Sequence, residues 1–129
     1  MEQPQYLIDT NAVIDYLGKK LPSSGMDFMN RIIDAVPHIS VITKIEVLGF
    51  KSSDEHSQLL NNFMDDATIM DLTSAIVDVS IGIRKKNRTK LPDAIIAATA
   101  LVYDLVLISR NVSDFTTIQG LKVINPHAL

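Results

Sequence analysis

The sequence contains no cysteine and no tryptophan. Without thiols there is no disulfide framework, no thiolate nucleophile and no cysteine-bound zinc, a composition that suits a cytoplasmic protein. Aromatic residues make up only 5% of the chain, too few for base stacking to be the basis of nucleic-acid specificity. No apolar run approaches the roughly 18 residues a membrane span needs, so no membrane partner is expected. The opening "MEQPQ" lacks the basic flank and apolar stretch of an export signal. Also missing are a GxxxxGK[ST] or GxGxxG phosphate loop and a GxSxG nucleophile elbow. The three histidines, His38, His56 and His127, have no metal-ligand spacing and read as structural or solvated. Positive charge is in deficit as well. Twelve Lys and Arg against fifteen Asp and Glu leave a net charge of −3, which argues against nucleic-acid binding by bulk electrostatics. It leaves room for a local basic patch, or for a bound cation that reverses the local field.

What remains is an ordinary globular composition, 47% apolar and 21% charged over 129 residues, read as one domain spanning 1–129. Strand-like and helix-like segments alternate. Residues 5–9 read as a strand and 11–18 as a helix, and "KKLPSSG" as a loop. Residues 26–35 read as a helix stopped by Pro37, "HISVI" as a strand, and "TKIEVLGF" as a helix. Then come a helix capped by Ser52 and Ser53, the strand "ATIMDL", helices over 73–87 and 92–103, and the strands "LVLIS" and "LKVIN". Such alternation implies parallel strands joined by helical crossovers. The expected fold is α/β: a three-layer sandwich whose short, mostly parallel central sheet of about five strands is flanked by helices. The Met and Phe positions at 26, 28, 29, 63 and 64 read as core or dimer surface rather than a cofactor box.

In open parallel sheets the functional crevice lies at the carboxyl ends of the strands. "YLIDTNAVIDYL" puts Asp9 at the first such end, where a short oxygen-bearing side chain would also cap the helix that follows. Glu46 lies inside the apolar "VITKIEVLGF", where it would otherwise face solvent. Asp93 opens a helix after Pro92, where the helix dipole favours an acid. Asp114, after "LVLIS", could cap a turn. Each acid has a local explanation, but separate segments each bring one carboxylate to a single edge. Like charges so gathered stay ionised cheaply only when a cation joins them, and ligands that are all oxygen point to Mg²⁺ or Mn²⁺.

The segments "LIDTNAVIDYL", "ISVITKIEVLGF", "KLPDAIIAATAL" and "LISRNVSDF", in that order, resemble PIN-domain ribonucleases from residue 6 to about residue 125. The likeness is to the VapC-type toxins of toxin–antitoxin pairs in particular. The resemblance implies that Asp9, Glu46, Asp93 and Asp114 form an acidic metal site, with Asp9 and Asp93 as direct ligands and the other two direct or through water. It makes Thr10, Asn11 and Ser109 the polar residues that orient those carboxylates. Many relatives have Thr where this chain has Ser109, which keeps the hydroxyl. It further implies an RNA substrate, a cognate antitoxin that docks an apolar helix and reaches a basic side chain toward the acids, and a homodimer built on apolar faces near residues 26–33 and 56–64.

Substrate contact is expected from "RKKNRTK", where Arg84, Lys85, Lys86, Arg88 and Lys90 precede Asp93, together with Arg110. The same run would also complement the dipole at a helix end. Three other readings compete with the ribonuclease toxin. One keeps the fold and acts in RNA processing or on structured DNA. Another is a receiver-like signalling domain, with Asp71 after the third strand but no Lys beyond "LKVI". The last is a pure interaction protein, which four matched acids oppose.

Overall fold

The computed structural model describes residues 5–129. The export-signal reading of "MEQPQ" falls, for residues 1–4, outside the described residues.

Strand β1 (Tyr6–Ile8) runs into α1 (Thr10–Leu17), followed by α2 (Ser23–Asp34), β2 (His38–Ser40), α3 (Val41–Leu48) and α4 (Asp54–Asp66). Then come β3 (Thr68–Met70), α5 (Ser74–Lys86), α6 (Leu91–Val102), β4 (Val106–Ile108) and β5 (Val123–Ile124). All pairings are parallel and the sheet order is β3-β2-β1-β4-β5. The chain therefore steps outward from β1 to β3, crosses back, and continues from β4 to β5 on the other side. The reversal falls between β1 and β4, the topological switch point at which such sheets form their crevice. The same order puts β3 at an edge with Asp71 exposed, away from that crevice, which disfavours the receiver-like reading.

Side chains alternate across the sheet as strand geometry requires. Leu7 and Leu107 pack with α5 and α6 on one face, and Ile8, Ile39 and Ile108 with α1, α2 and α4 on the other. Helix α6 is apolar nearly all round and buried from Ala94 to Ala100. Its one polar residue in that stretch, Thr99, donates its hydroxyl to the Ile95 carbonyl at 2.7 Å, so nothing there is left unpaired.

Two helices begin earlier than periodicity suggests. Ser40 accepts from the Ile42 N–H at 3.1 Å, so α3 starts at Val41 despite its β-branched opening residues. Helix α2 starts at Ser23 and takes in Gly25, which read as a loop residue. A Cβ at Gly25 would run into the Pro126 carbonyl, so glycine is there for a close approach and not for a turn. Most of the apolar side chains on α2 and α4, where a pairing face was expected, turn inward. Met29, Ile32, Leu60, Phe63 and Met64 are buried in the chain's own core, and Phe28 packs edge-on against Tyr6 with centroids 5.5 Å apart. Two helices facing the sheet use those side chains to cover it; of the two, Leu59 alone leaves a large apolar side chain exposed among the described residues. Among the described residues no helix is long and apolar enough to cross a membrane.

Candidate active site

The register of β1 against β4 pairs Tyr6 with Val106, Leu7 with Leu107 and Ile8 with Ile108. One residue further sets Asp9 beside Ser109, both buried, at the switch point. The Asp9 N–H still donates to the Ile108 carbonyl at 2.9 Å, so the strand holds the residue while α1 begins after it. Asp9 is the N-cap of α1, accepting from the Thr10 N–H at 2.8 Å through Oδ1. Its other oxygen accepts from Ser109 Oγ at 2.8 Å and from Asn11 Nδ2 at 3.0 Å. The cap and the polar cluster are thus the same carboxylate. Burial, the largest influence, pushes the Asp9 pKa up; the Ser109, Thr10 and Asn11 donors pull against it and the Glu46 charge adds to it.

Glu46 is exposed on α3, yet it is not free: Thr10 Oγ1 donates to its Oε1 at 2.7 Å. The same hydroxyl lies 3.1 Å from Oγ1 of the buried Thr43. The Thr10 hydroxyl thus ties the start of α1 to α3 and holds Glu46 where its charge acts on Asp9.

Asp93 sits in the first turn of α6, after Pro92, and is partly buried. Its pKa is raised first by burial, then by the charges of Asp9, Asp114 and Glu46, with Lys90 pulling the other way. Asp93 therefore feels all three of the other expected acids, which arrive from β1, α3 and the short 3-10 turn Val112–Asp114. That turn is anchored by Phe115, which is buried in the core behind it. The charges converge without closing. Among the described residues no three carboxylate or imidazole side chains are placed to hold a metal ion in common. The donor chemistry nevertheless suits a hard divalent ion: the groups are all oxygen, two of them are raised first by burial, and the like charges around Asp93 outweigh the opposing Lys90.

A cleft of about 480 Å³ adjoins Asp93 and Asp114, with Lys86, Arg88, Lys90 and Ser113 among its lining residues. Asn87 ends α5 by directing both its backbone N–H and its Nδ2 to the Ile83 carbonyl, and Thr89 is buried, so the basic loop is pinned at two points. Of the basic residues expected to meet substrate, Lys86, Arg88 and Lys90 line this cleft; Arg84 and Lys85, exposed in the last turn of α5, do not. Arg110 turns its guanidinium to Asp15, with Nη1 lying 3.2 and 3.0 Å from the two oxygens.

Sequence reasoning missed Asp15, Thr43 and the part played by His127. Asp15 carried one faint signal, an acid within the otherwise apolar "AVIDYL". Its partners lie 95 and 112 residues away, beyond the reach of any local pattern.

The family model for the PIN domain matches residues 6–120. Among solved structures, a toxin–antitoxin complex from Klebsiella pneumoniae contains a chain 32% identical to this one. That match covers 95% of this chain and 98% of that one, with a TM-score of 0.74. A DNA-bound VapBC from Salmonella typhimurium matches at 20% identity over 96% and 99% of the two chains, with a TM-score of 0.82. VapBC2 from Rickettsia felis, bound to a promoter DNA fragment, matches at 20% identity over 93% and 97%, with a TM-score of 0.77. The last two are likenesses of fold. No curated protein matches the sequence.

Proposed function

This chain belongs to the PIN domain family, and from that premise we propose that it is a metal-dependent endoribonuclease, the toxin of a toxin–antitoxin pair. One observation carries the reading: beside the switch point of a parallel sheet, the half-buried Asp93 carboxyl, raised first by burial, is raised further by the charges of Asp9, Asp114 and Glu46, which reach it from three other segments. Asp9, Glu46, Asp93 and Asp114 would hold one or two Mg²⁺ or Mn²⁺ ions. When bound, such an ion polarises a phosphoryl oxygen and lowers the pKa of a coordinated water. Thr10, Asn11 and Ser109 fix the directions in which the Glu46 and Asp9 oxygens point. A phosphodiester lying in the adjoining cleft would have its flanking charges met by Lys86, Arg88 and Lys90, with Asp93 and Asp114 alongside. Few aromatic residues are present to stack bases, so discrimination would rest on backbone and shape.

The antitoxin partner is supported by the relative from Klebsiella pneumoniae, which was solved as a toxin–antitoxin complex. Ile45 and Phe50 flank Glu46 in the sequence and are 62% and 69% exposed, which suits an apolar segment docking beside the acids. A basic side chain on such a partner would satisfy carboxylates that otherwise repel. Pairing of two copies is proposed through the exposed Val77 and Ile81, one turn apart on α5, since α2 and α4 are turned inward. A monomeric mass by light scattering at tens of micromolar, about the range where weak contacts fade, would remove that part.

The decisive experiment incubates the purified chain with single-stranded RNA and with single-stranded DNA of the same sequence. Internal RNA cleavage should require Mg²⁺ or Mn²⁺, stop in EDTA and return when Mn²⁺ is restored. Cleavage undiminished in chelator, or confined to DNA, would overturn the proposal.

A further inference from the structure

Asp15 lies on α1, beyond the Asp9 that caps it, and its side chain is only 4% exposed. A carboxylate at that depth is costly to bury without partners. Among the described residues it has two, both from the C-terminal part of the chain: Arg110 Nη1 at 3.0 Å, and His127 Nε2 at 2.8 Å on the same oxygen. His127 is itself well placed. Its N–H donates to Asn125 Oδ1 at 2.9 Å, and the preceding Pro126 carbonyl rests against Gly25 of α2.

The grip on Arg110 reaches the acidic site through the backbone. Arg110 follows Ser109, and its N–H donates to Asn11 Oδ1 at 2.8 Å. With that oxygen engaged, the amide of Asn11 has one usable orientation, which aims Nδ2 at Asp9 Oδ2 (3.0 Å) and Ser109 Oγ (3.3 Å). If the Arg110 peptide shifted, Asn11 would lose the contact that orients it, and Asp9 would lose a donor. We infer that Asp15 is a positioning residue for this site: by clamping the Arg110 side chain and the C-terminal His127, it holds the Arg110 N–H on Asn11 and thereby orients Asp9. The inference rests on the reading of Asp9 as a metal-holding carboxylate. It gives the Arg110 guanidinium an internal task in place of a substrate contact.

The two roles for Arg110 predict opposite results. If Arg110 met phosphate directly, Arg110→Ala would weaken RNA binding and Asp15→Asn, by freeing the guanidinium, would strengthen it. If Asp15 positions the site, Asp15→Asn and Arg110→Ala each lower Mn²⁺ affinity and kcat by roughly tenfold, the low end for outer partners of a metal site. KM, and RNA binding measured in EDTA, should then stay unchanged. The double variant should be no worse than the worse single one, because both remove the same link. His127→Ala should move both quantities in the same direction, and His127→Gln, whose amide can also donate to Asp15, should recover most of the loss. The experiment measures Mn²⁺ binding by calorimetry, RNA binding in EDTA, and cleavage kinetics, with the Asn11 side-chain amide followed by NMR in metal-free protein. The NMR signal separates this inference from the nuclease reading. If the parent chain neither binds Mn²⁺ nor cleaves RNA, that reading fails, while a shifted and faster-exchanging Asn11 amide in Asp15→Asn still supports the clamp. Should Asp15→Asn not fold, Arg110→Ala, at a half-exposed position, and His127→Gln carry the same comparison. An Asn11 amide and a Mn²⁺ affinity unmoved by these variants would overturn the inference, as would tighter RNA binding in Asp15→Asn.

Discussion

Asp9 and Asp93 carry the same functional group to the same edge of the sheet and are held there in opposite ways. Asp9 is buried and receives donors on both oxygens, from Thr10, Asn11 and Ser109. Asp93 is less buried, and its pKa is raised first by burial and then by the charges of Asp9, Asp114 and Glu46, with Lys90 pulling the other way. One carboxylate is oriented in advance by its neighbours; the other is left under electrostatic stress that a cation would relieve. Preorganisation on one side and unsatisfied charge on the other is the division that the proposed metal-dependent chemistry would need, one carboxylate aimed in advance and the other drawing a cation.

The sharpest way to break this comparison is to remove each charge in turn. Asp9→Asn and Asp93→Asn should each lower RNA cleavage by more than the roughly 10–100-fold that outer partners of a metal site are worth. Their effects on the metal-free fold should differ in sign. An amide has one acceptor oxygen, so Asn at position 9 leaves a buried donor unmet, costing roughly 1–3 kcal/mol. Asn at position 93 removes repulsion and should raise Tm. Thermal melts in EDTA that move both variants the same way would sink the contrast.

Next in size is Ser109, which belongs to the Asp9 side alone. Ser109→Ala should cost about 10–100-fold in single-turnover cleavage, and Ser109→Thr, which keeps the hydroxyl, should stay close to the parent. Equal losses in both would mean that the hydroxyl is not what orients Asp9.

A smaller effect should appear in the pH dependence of stability. Asp9 and Asp93 both have folded pKa values raised above the ordinary 3.8. The folded state therefore holds protons that the unfolded chain has released, and stability falls as pH rises from about 3.8 through the raised values. The contribution is fully present below 3.8 and gone above the folded pKa of each group. Chemical denaturation of metal-free protein across this range should show the decline; Asp93→Asn should reduce its slope, and Mg²⁺ should offset it at neutral pH. Stability that rises with pH in the parent but not in Asp93→Asn would contradict the sign.

The smallest change is expected at the cleft. Lys90→Gln should raise KM a few-fold and reduce the salt dependence of RNA binding by about 0.7 in log–log slope, one phosphate contact on a single strand. A salt slope identical to the parent's would remove Lys90 from the phosphate path.

Much of the Asp9 half could be read from residues alone, since cap, strand end and helix start all fall within "LIDTNA" and the donors Thr10 and Asn11 are its immediate neighbours. Ser109 was legible as a strand-end residue, but its bond to Asp9 depends on β4 lying next to β1. The starts of α2 and α3 were misjudged because Gly25 answers to Pro126 and Ser40 acts as a cap, and periodicity sees neither. The apolar stripes of α2 and α4 were legible as stripes, but not how much of each the chain's own core would bury, because a stripe does not say how wide a sheet face it must cover.

By itself the sequence determined the alternation of strand and helix, the oxygen-only character of the site and the four candidate acids, since these follow from local patterning and residue chemistry. Only the tertiary structure decided that β1 and β4 are neighbours, that three of the expected basic side chains line the cleft, and that Asp15 joins Arg110 to His127. Those contacts join residues far apart in the chain, and their partners are chosen by strand order and packing, for which no short stretch of sequence carries a signal.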